Sequence, residues 1–142
     1  MPNYKYLIVG GGMTADAAIS GIREVDPNGS IGLIGLEPDK PYDRPPLTKG
    51  LWKDKPFESI WHDTEKKNVQ LHLGRKVESI DVQGQKIFDD QQNSYNYEKL
   101  LLATGGSPRV LPVAAATRLS ITARSPITGV SAASPKNISA SP

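Results

Sequence analysis

The 142-residue sequence contains no cysteine. A disulfide framework, a thiolate metal site and a redox-active C-x-x-C pair are therefore all excluded. Long apolar runs are also missing, and none approaches the roughly 18 residues that a membrane-spanning helix needs. The first residues lead directly into an apolar segment at positions 6–9 instead of a secretory signal, so we expect a cytoplasmic protein that does not act at a membrane.

Acidic residues are missing from the last thirty positions. Three of the 17 basic side chains, but none of the 15 acidic ones, lie in residues 113–142. Residues 1–112 are therefore almost neutral and have no basic stripe of the kind that nucleic-acid binding requires. The two histidines have no cluster of ligating residues at suitable spacing, so we predict no metal site and no nucleic-acid partner.

The predicted function depends on a glycine cluster that follows the apolar run. Gly10, Gly12 and Ala15 have the spacing G-x-G-x-x-A. In a dinucleotide-binding fold the first glycine permits a sharp turn, the second lets the backbone approach a pyrophosphate, and a small third residue lets the helix pack on the strand. The pyrophosphate would then lie on backbone N–H groups at the helix N-terminus. A strand, turn and helix that bind no ligand could have the same sequence pattern.

The residues after the glycines supply the context that this motif requires. Apolar residues recur at helical spacing over residues 15–22, and a second apolar run, Ile31–Leu36, ends in Glu37. An acidic residue about 20 positions beyond the glycines, at the end of the second strand, is where adenosine ribose hydroxyls bind in such folds. The alternative is that Glu37 is a solvated strand end.

A proline-rich segment, Pro41–Lys49, is the least ordinary part of the sequence. Its prolines exclude it from the interior of a helix or a strand. We expect Arg44 and Lys49 to flank a rigid turn close to a nucleotide's phosphates. The alternative, a surface loop with two solvated cations, also fits the composition.

The remaining pattern predicts a short helix and several strands. Residues 59–68 have the composition of a short helix. Short strands are predicted at residues 69–73, 76–80, 86–88 and 95–97, the later ones as an antiparallel meander. The apolar run Leu100–Ala103 predicts a strand buried on both faces. Its end, at Thr104 and Gly105, should lie at the same sheet edge as the first glycine turn.

Together these motifs resemble the FAD-dependent pyridine-nucleotide oxidoreductases, and within them the branch of apoptosis-inducing factor and the NADH-dependent ferredoxin reductases that supply oxygenases. Gly10–Gly12 with Glu37, Pro41–Lys49 and Leu102–Gly106 carry the resemblance, which covers residues 4–112. It implies an α/β, Rossmann-like FAD-binding domain over residues 1–112, three-layered and of the GR2 type, with a small β-meander. It also implies FAD as cofactor, NADH or NADPH as substrate, and an electron acceptor such as ferredoxin or rubredoxin as partner.

The resemblance also implies roles for individual residues at the phosphate end of the cofactor. Gly10, Gly12 and Ala15 would contact the FAD pyrophosphate, and Thr104 and Gly105 would line the phosphate site. The disulfide reductases that share this fold need a cysteine pair, so the absence of cysteine favours the ferredoxin-reductase branch.

The same resemblance implies roles at the two ends of the cofactor. Glu37 would bind the adenosine ribose, Arg44 would lie against the adenine and phosphate region, and the main chain of Val77 would bond the adenine. Lys49 would lie near the flavin N5 edge, where a cation favours the reduced flavin, and it is the one residue for which the resemblance implies a catalytic role.

Members of this family continue for some hundreds of residues with a second nucleotide domain for NAD(P)H. We therefore expect this chain to correspond to a truncated N-terminal fragment that is inactive alone. Residues 113–142 hold seven alanines, six serines, three threonines and three prolines, which predicts a disordered tail. Two other functions stay open: an inert fragment or simple nucleotide-binding module, and an NAD-dependent dehydrogenase whose glycines bind the nicotinamide cofactor directly.

The tail composition leads to a prediction about the reading frame. Back-translation of residues 114 onward with permitted codons, read in a neighbouring frame, allows the string GGDEVIYYRTLADYRRLRG, which resembles the family's continuation. We expect the nucleotide sequence of the gene to encode this string in that frame. Sequencing the gene checks this, and a gene without the string in any alternative frame would contradict it.

Overall fold

The computed structural model describes residues 1–49, 53 and 56–107. Its regular elements are, in chain order, strand β1 (Asn3–Val9), helix α1 (Met13–Val25) and the strands β2 (Ile31–Gly35), β3 (Val69–Leu73), β4 (Val77–Asp81), β5 (Lys86–Asp89) and β6 (Ser94–Leu102). Short 3₁₀ turns cover Pro45–Thr48, Phe57–Ile60 and Thr64–Lys67. The predicted disordered tail, residues 113–142, lies outside the described residues, so its state remains a prediction.

The six strands form one mixed sheet in the order β3-β2-β1-β6-β5-β4. Strands β3, β2, β1 and β6 run parallel, whereas β4, β5 and β6 pair antiparallel. The parallel half with its crossover helix confirms the predicted α/β, Rossmann-like architecture, and the antiparallel half confirms the predicted meander. Parallel strands end at one edge of the sheet, and that edge positions the candidate site.

Two apolar layers hold the sheet. On one face α1 packs through Ala15 and Ile19 against Ile8, Ile31 and Leu33, all of which are buried. The opposite face carries a second buried cluster, formed by Tyr4, Leu7, Val9, Ile34, Ile87, Tyr95 and Tyr97. Burial of side chains from both sides of β1 and β2 explains why these strands are almost continuously apolar in the sequence.

The proline-rich segment is fixed to the rest of the fold by backbone hydrogen bonds. The Asp43 N–H donates to the Ile60 carbonyl at 2.8 Å, and the His62 N–H donates to the Pro41 carbonyl at 3.1 Å. Tyr42 forms an isolated antiparallel bridge with Trp61. The segment therefore has a defined position beside the end of β2.

An ionic cluster joins the same segment to the first turn of α1. The two ring nitrogens of His62 lie 3.1 Å from an Asp16 carboxylate oxygen and 3.0 Å from an Asp43 carboxylate oxygen. Lys67 and Thr64 also donate to Asp16, which is buried. Burial alone would raise the pKa of Asp16, but the hydrogen bonds from Lys67 and Thr64 and the nearby His62 lower it. The buried carboxylate is therefore compensated by its neighbours.

Two predictions about local structure are wrong. Residues 59–68 do not form one helix, because Trp61 is extended to pair with Tyr42 and separates two 3₁₀ turns. The strand predicted at 100–103 is not buried on both faces, since Leu101 is 37% and Leu102 57% exposed. Helix α1 packs over β1, β2 and β3 and leaves this end of β6 uncovered in the described structure. Strand β6 also joins the runs predicted separately at 95–97 and 100–103.

A hydrogen-bonded carboxylate closes the loop between β5 and β6. Asp89 is 3% exposed and accepts hydrogen bonds from the Tyr95 hydroxyl, from the backbone N–H groups of Gln91 and Asn93, and from the Asn93 side chain. Burial alone would raise the pKa of Asp89, but these hydrogen bonds outweigh it and lower the pKa from its ordinary 3.8 to about 2. The charged form of Asp89 therefore stabilises the folded state.

Replacing Asp89 with Asn should make the free energy of unfolding depend less on pH in the acid range. Because the folded pKa lies below the unfolded one, Asp89 contributes its stabilisation above pH ~4 and loses it as the pH falls toward about 2. Asn cannot accept all of these hydrogen bonds, so we expect a loss of about 1–3 kcal/mol at pH 7. Urea unfolding at pH 7 and pH 3 measures both effects. If the free energy of unfolding differs between the two pH values as much in the variant as in the unchanged chain, the assignment is wrong.

Candidate functional site

A groove with a volume of about 680 Å³ runs along the carboxyl ends of the parallel strands. Its walls come from the segments that follow each strand. They are Val9–Thr14 after β1, Ile34, Leu36 and Glu37 at the end of β2, Arg75–Val77 after β3, Ala103–Ser107 after β6, and Arg44 from the proline-rich segment. Ligands of open α/β sheets bind in this position, where neighbouring connections leave the sheet in opposite directions.

The first glycine is required by the packing of three strand ends. Gly10 has φ +125°, and a Cβ atom added there would lie 2.1 Å from the Ala103 carbonyl oxygen. The Gly10 N–H donates to the Ile34 carbonyl at 2.8 Å, and the Ala103 N–H donates to the Val9 carbonyl at 2.8 Å. No other residue type combines this φ with this close approach.

Gly12 has a different environment, although it belongs to the same motif. A Cβ atom added there would meet no described atom within 4 Å, and its φ of −96° is open to any residue. Gly12 lines the groove, so the space that a side chain would fill belongs to the groove. This space is a cradle in which a ligand can approach the backbone closely.

The helix that starts at the groove is suited to an anion. Helix α1 begins at Met13, and no side chain within the described ranges caps its amino end. The N–H groups of a first helical turn have no partner inside the helix, and the aligned dipoles favour negative charge there. Met13 and Thr14 both line the groove, so this end of α1 faces the ligand space.

The charged residues of the groove wall are three cations and one carboxylate: Arg44, Arg75, Lys76 and Glu37. The Glu37 side chain remains 20% exposed, and it accepts hydrogen bonds from the Tyr42 hydroxyl and from Arg44, both at 2.7 Å. The Glu37 carboxylate is thus part of the groove wall and is not fully covered by packed side chains. A carboxylate accepts hydrogen bonds, which suits it to ligand hydroxyls.

Most of the predicted site residues come together in this groove. Those that line it are Gly10, Gly12, Glu37, Arg44, Val77, Thr104 and Gly105. Ala15 does not, because it is fully buried against Ile8 and Ile19, so we assign it to helix–strand packing and not to ligand contact. Lys49 is exposed and stands outside the described groove wall, with its N–H donating to the Pro46 carbonyl at 3.1 Å. The ligand contacts of the lining residues remain predictions.

The sequence interpretation missed Arg75 and Lys76. The Arg75 N–H donates to the Gly35 carbonyl at 2.9 Å, which brings the end of β3 beside the end of β2. Its Nη1 atom is buried and has no protein partner among the described residues. The signal that could have found them is the Gly74 turn, at φ +64°, directly after a strand that joins the parallel edge.

The described residues were also compared with the requirements of a metal site and of a membrane-spanning helix. No group of three histidine, aspartate or glutamate side chains in the described ranges has an arrangement that could hold a metal ion. None of the helices there has the length and apolarity needed to cross a bilayer.

Comparisons with known proteins agree with this geometry. A family model described as pyridine nucleotide-disulphide oxidoreductase matches residues 4–140. A ferredoxin–NAD(P)(+) reductase of Sphingomonas sp. is 36% identical over 117 residues, which are 77% of this chain and 28% of that protein. The mitochondrial apoptosis-inducing factor 1 of Dictyostelium discoideum is 34% identical over 128 residues, covering 76% of this chain and 24% of that protein.

Solved structures of reductases are also similar to this chain. The covalent putidaredoxin reductase–putidaredoxin complex contains a chain with a TM-score of 0.71 and 34% identity, covering 80% of this chain and 28% of that one. The NADH:rubredoxin oxidoreductase from Clostridium acetobutylicum has a TM-score of 0.61 and 27% identity, covering 76% of this chain and 30% of that one. The present chain therefore spans less than a third of the length of these relatives.

The two glycines of the motif should respond differently to replacement by alanine. Gly10→Ala adds a Cβ atom at a clashing distance and a strained φ, so we expect the free energy of unfolding to fall by about 3 kcal/mol or more. Gly12→Ala meets no described neighbour, but glycine is preferred to alanine at the N-cap of a helix, so we expect the free energy of unfolding to fall by at most about 1 kcal/mol. Chemical denaturation measures both, and equal stability of the two variants would show that the close approach at Gly10 is wrong.

Proposed function

Because the chain belongs to the pyridine nucleotide-disulphide oxidoreductase family, we propose that it holds the ADP half of FAD in an NAD(P)H-dependent flavoprotein oxidoreductase. Reductases of this family use FAD together with NAD(P)H. The observation that carries the proposal is the groove, in which a glycine turn and a helix N-terminus face a carboxylate at the end of the neighbouring strand.

The residues of the groove suit the parts of an adenine dinucleotide. Backbone N–H groups at the start of α1 would hold the diphosphate, and the open side of Gly12 lets the diphosphate approach. Glu37 would accept the ribose hydroxyls, and the main chain of Val77 would bond the adenine. Arg75 lines the groove, and its positive charge suits a site for a diphosphate.

When bound, FAD would supply acceptance of a hydride from NAD(P)H and release of electrons to an acceptor. The residues of this chain would bind and orient the cofactor through its adenosine and diphosphate. The cations Arg44, Arg75 and Lys76 would balance the charge of the diphosphate. The proposed catalytic role of Lys49, beside the flavin, depends on the family resemblance, since this residue is not among those that line the described groove.

For the full-length protein we propose an electron-transfer protein such as a ferredoxin or rubredoxin as the partner. Similar proteins support this, because one relative is named a ferredoxin–NAD(P)(+) reductase and another structure is an NADH:rubredoxin oxidoreductase. The cytoplasmic location expected from the sequence is part of the same proposal.

The proposal predicts that the chain binds FAD and ADP, and binds NADH more weakly. Adding FAD should give the purified chain a yellow flavin spectrum that survives desalting, and calorimetry with ADP measures the adenosine half alone. Gly12→Ala places a methyl group in the ligand space and should weaken ADP binding by about tenfold or more, a loss of about 1.4 kcal/mol.

A second glycine provides the control for this experiment. Gly21 lies in α1, outside the groove wall, and a Cβ atom added there also meets no described atom within 4 Å. Gly21→Ala should therefore bind ADP as the unchanged chain does. A colourless chain that binds NADH more tightly than FAD would support a nicotinamide-dependent dehydrogenase, and a chain that binds neither would support an inert fragment.

A further inference from the structure

The carboxylate of Glu37 is held at both of its oxygens by the proline-rich segment. The Tyr42 hydroxyl donates to Oε2 at 2.7 Å, and Nη2 of Arg44 donates to Oε1 at 2.7 Å. These contacts restrict the rotation of a side chain that otherwise has three rotatable bonds. The orientation of the carboxylate in the groove wall is therefore set before a ligand arrives.

Tyr42 is the more rigid of the two donors. It is 2% exposed and belongs to a buried cluster with Leu47 and Ile60, whereas the Arg44 side chain is 32% exposed. The ring of Tyr42 meets the ring of Trp61 edge to face, with centroids 5.8 Å apart. Because packing fixes the ring, it also fixes the position of the hydroxyl group that holds Glu37.

We propose that Tyr42 is a positioning residue of the adenosine site, which acts by aiming the Glu37 carboxylate at the 2′- and 3′-hydroxyls of the ribose. This inference rests on the proposed function, because it assumes that the adenosine of a dinucleotide lies against Glu37. Tyr42 is absent from the groove wall itself in the described structure, and its hydroxyl donates to Glu37, so the effect of that hydroxyl on a ligand passes through Glu37. The ring of Tyr42 also lies 5.5 Å from the guanidinium of Arg44, a contact that Tyr42→Phe keeps.

The test compares two ligands on the same protein, ADP and 2′,3′-dideoxy-ADP, by calorimetry with the full chain. The unchanged chain should prefer ADP by about tenfold or more, because only ADP has the hydroxyls that Glu37 accepts. Tyr42→Phe should weaken ADP binding about tenfold and change dideoxy-ADP binding by less than about twofold. The ratio of the two affinities in one variant does not depend on how much of that variant is folded.

Tyr4→Phe is the matched control. Tyr4 is also buried, at 4% exposed, and its hydroxyl is hydrogen-bonded to Gln70 and His72 instead of to the groove carboxylate. This variant loses a comparable buried contact, so it should keep the preference for ADP. In a background of Glu37→Gln, adding Tyr42→Phe should have no further effect on the preference, since the two residues act as one unit.

The outcomes separate this inference from the proposed function. Equal weakening of both ligands in Tyr42→Phe, or an unchanged preference, would show that Tyr42 has a structural role only and would overturn the inference, while ADP binding by the unchanged chain would leave the proposed function standing. Absence of ADP binding by the unchanged chain would overturn both.

Discussion

The carbonyl oxygen of Ala103 lies so close to Gly10 that a Cβ atom on residue 10 would be only 2.1 Å from it. Three strand ends meet at this point, because Gly10 is hydrogen-bonded to Ile34 on one side and Ala103 to Val9 on the other. The chain can then leave the sheet at a positive φ and begin α1 with its first-turn N–H groups facing the groove. If the strands were further apart, the helix end and the segment after β6 could not form one wall of the groove.

The part of the groove at Glu37, where we propose that the ribose binds, depends on contacts of another kind. The position of the Glu37 backbone follows from the pairing of β2, since its carbonyl accepts from the Gly74 N–H at 3.0 Å. The position of its carboxylate follows from Tyr42, which a bridge to Trp61 and a small separate core hold in place. The proposed phosphate end is thus built by backbone packing, and the proposed ribose end by side chains that are distant from β1 in the sequence.

The sequence predicts features that depend on neighbouring residues. Apolar periodicity predicts β1, α1 and β2, and the glycine spacing predicts the turn at the groove. Each of these patterns comes from residues that lie within a few positions of one another in the sequence. Pairing between distant segments leaves no such signal. Trp61 is extended because Tyr42 pairs with it, and Arg75 reaches the groove because β3 lies beside β2. Sequence patterns alone predict neither of these two, whereas the small residue at position 15 does predict the close packing of α1 on the sheet.

An exposed apolar residue of the groove gives a further reason to favour a ligand of this shape. Leu36 lines the groove just after β2 and is 53% exposed. Beside it, after the neighbouring strand β1, lie the N–H groups of the glycine turn and the start of α1, which favour negative charge. The adenosine diphosphate half of a dinucleotide has a charged diphosphate close to a flat and partly apolar ring system, so it would use the polar and the apolar part of the groove together, whereas an isolated phosphate or sugar would use only one of them.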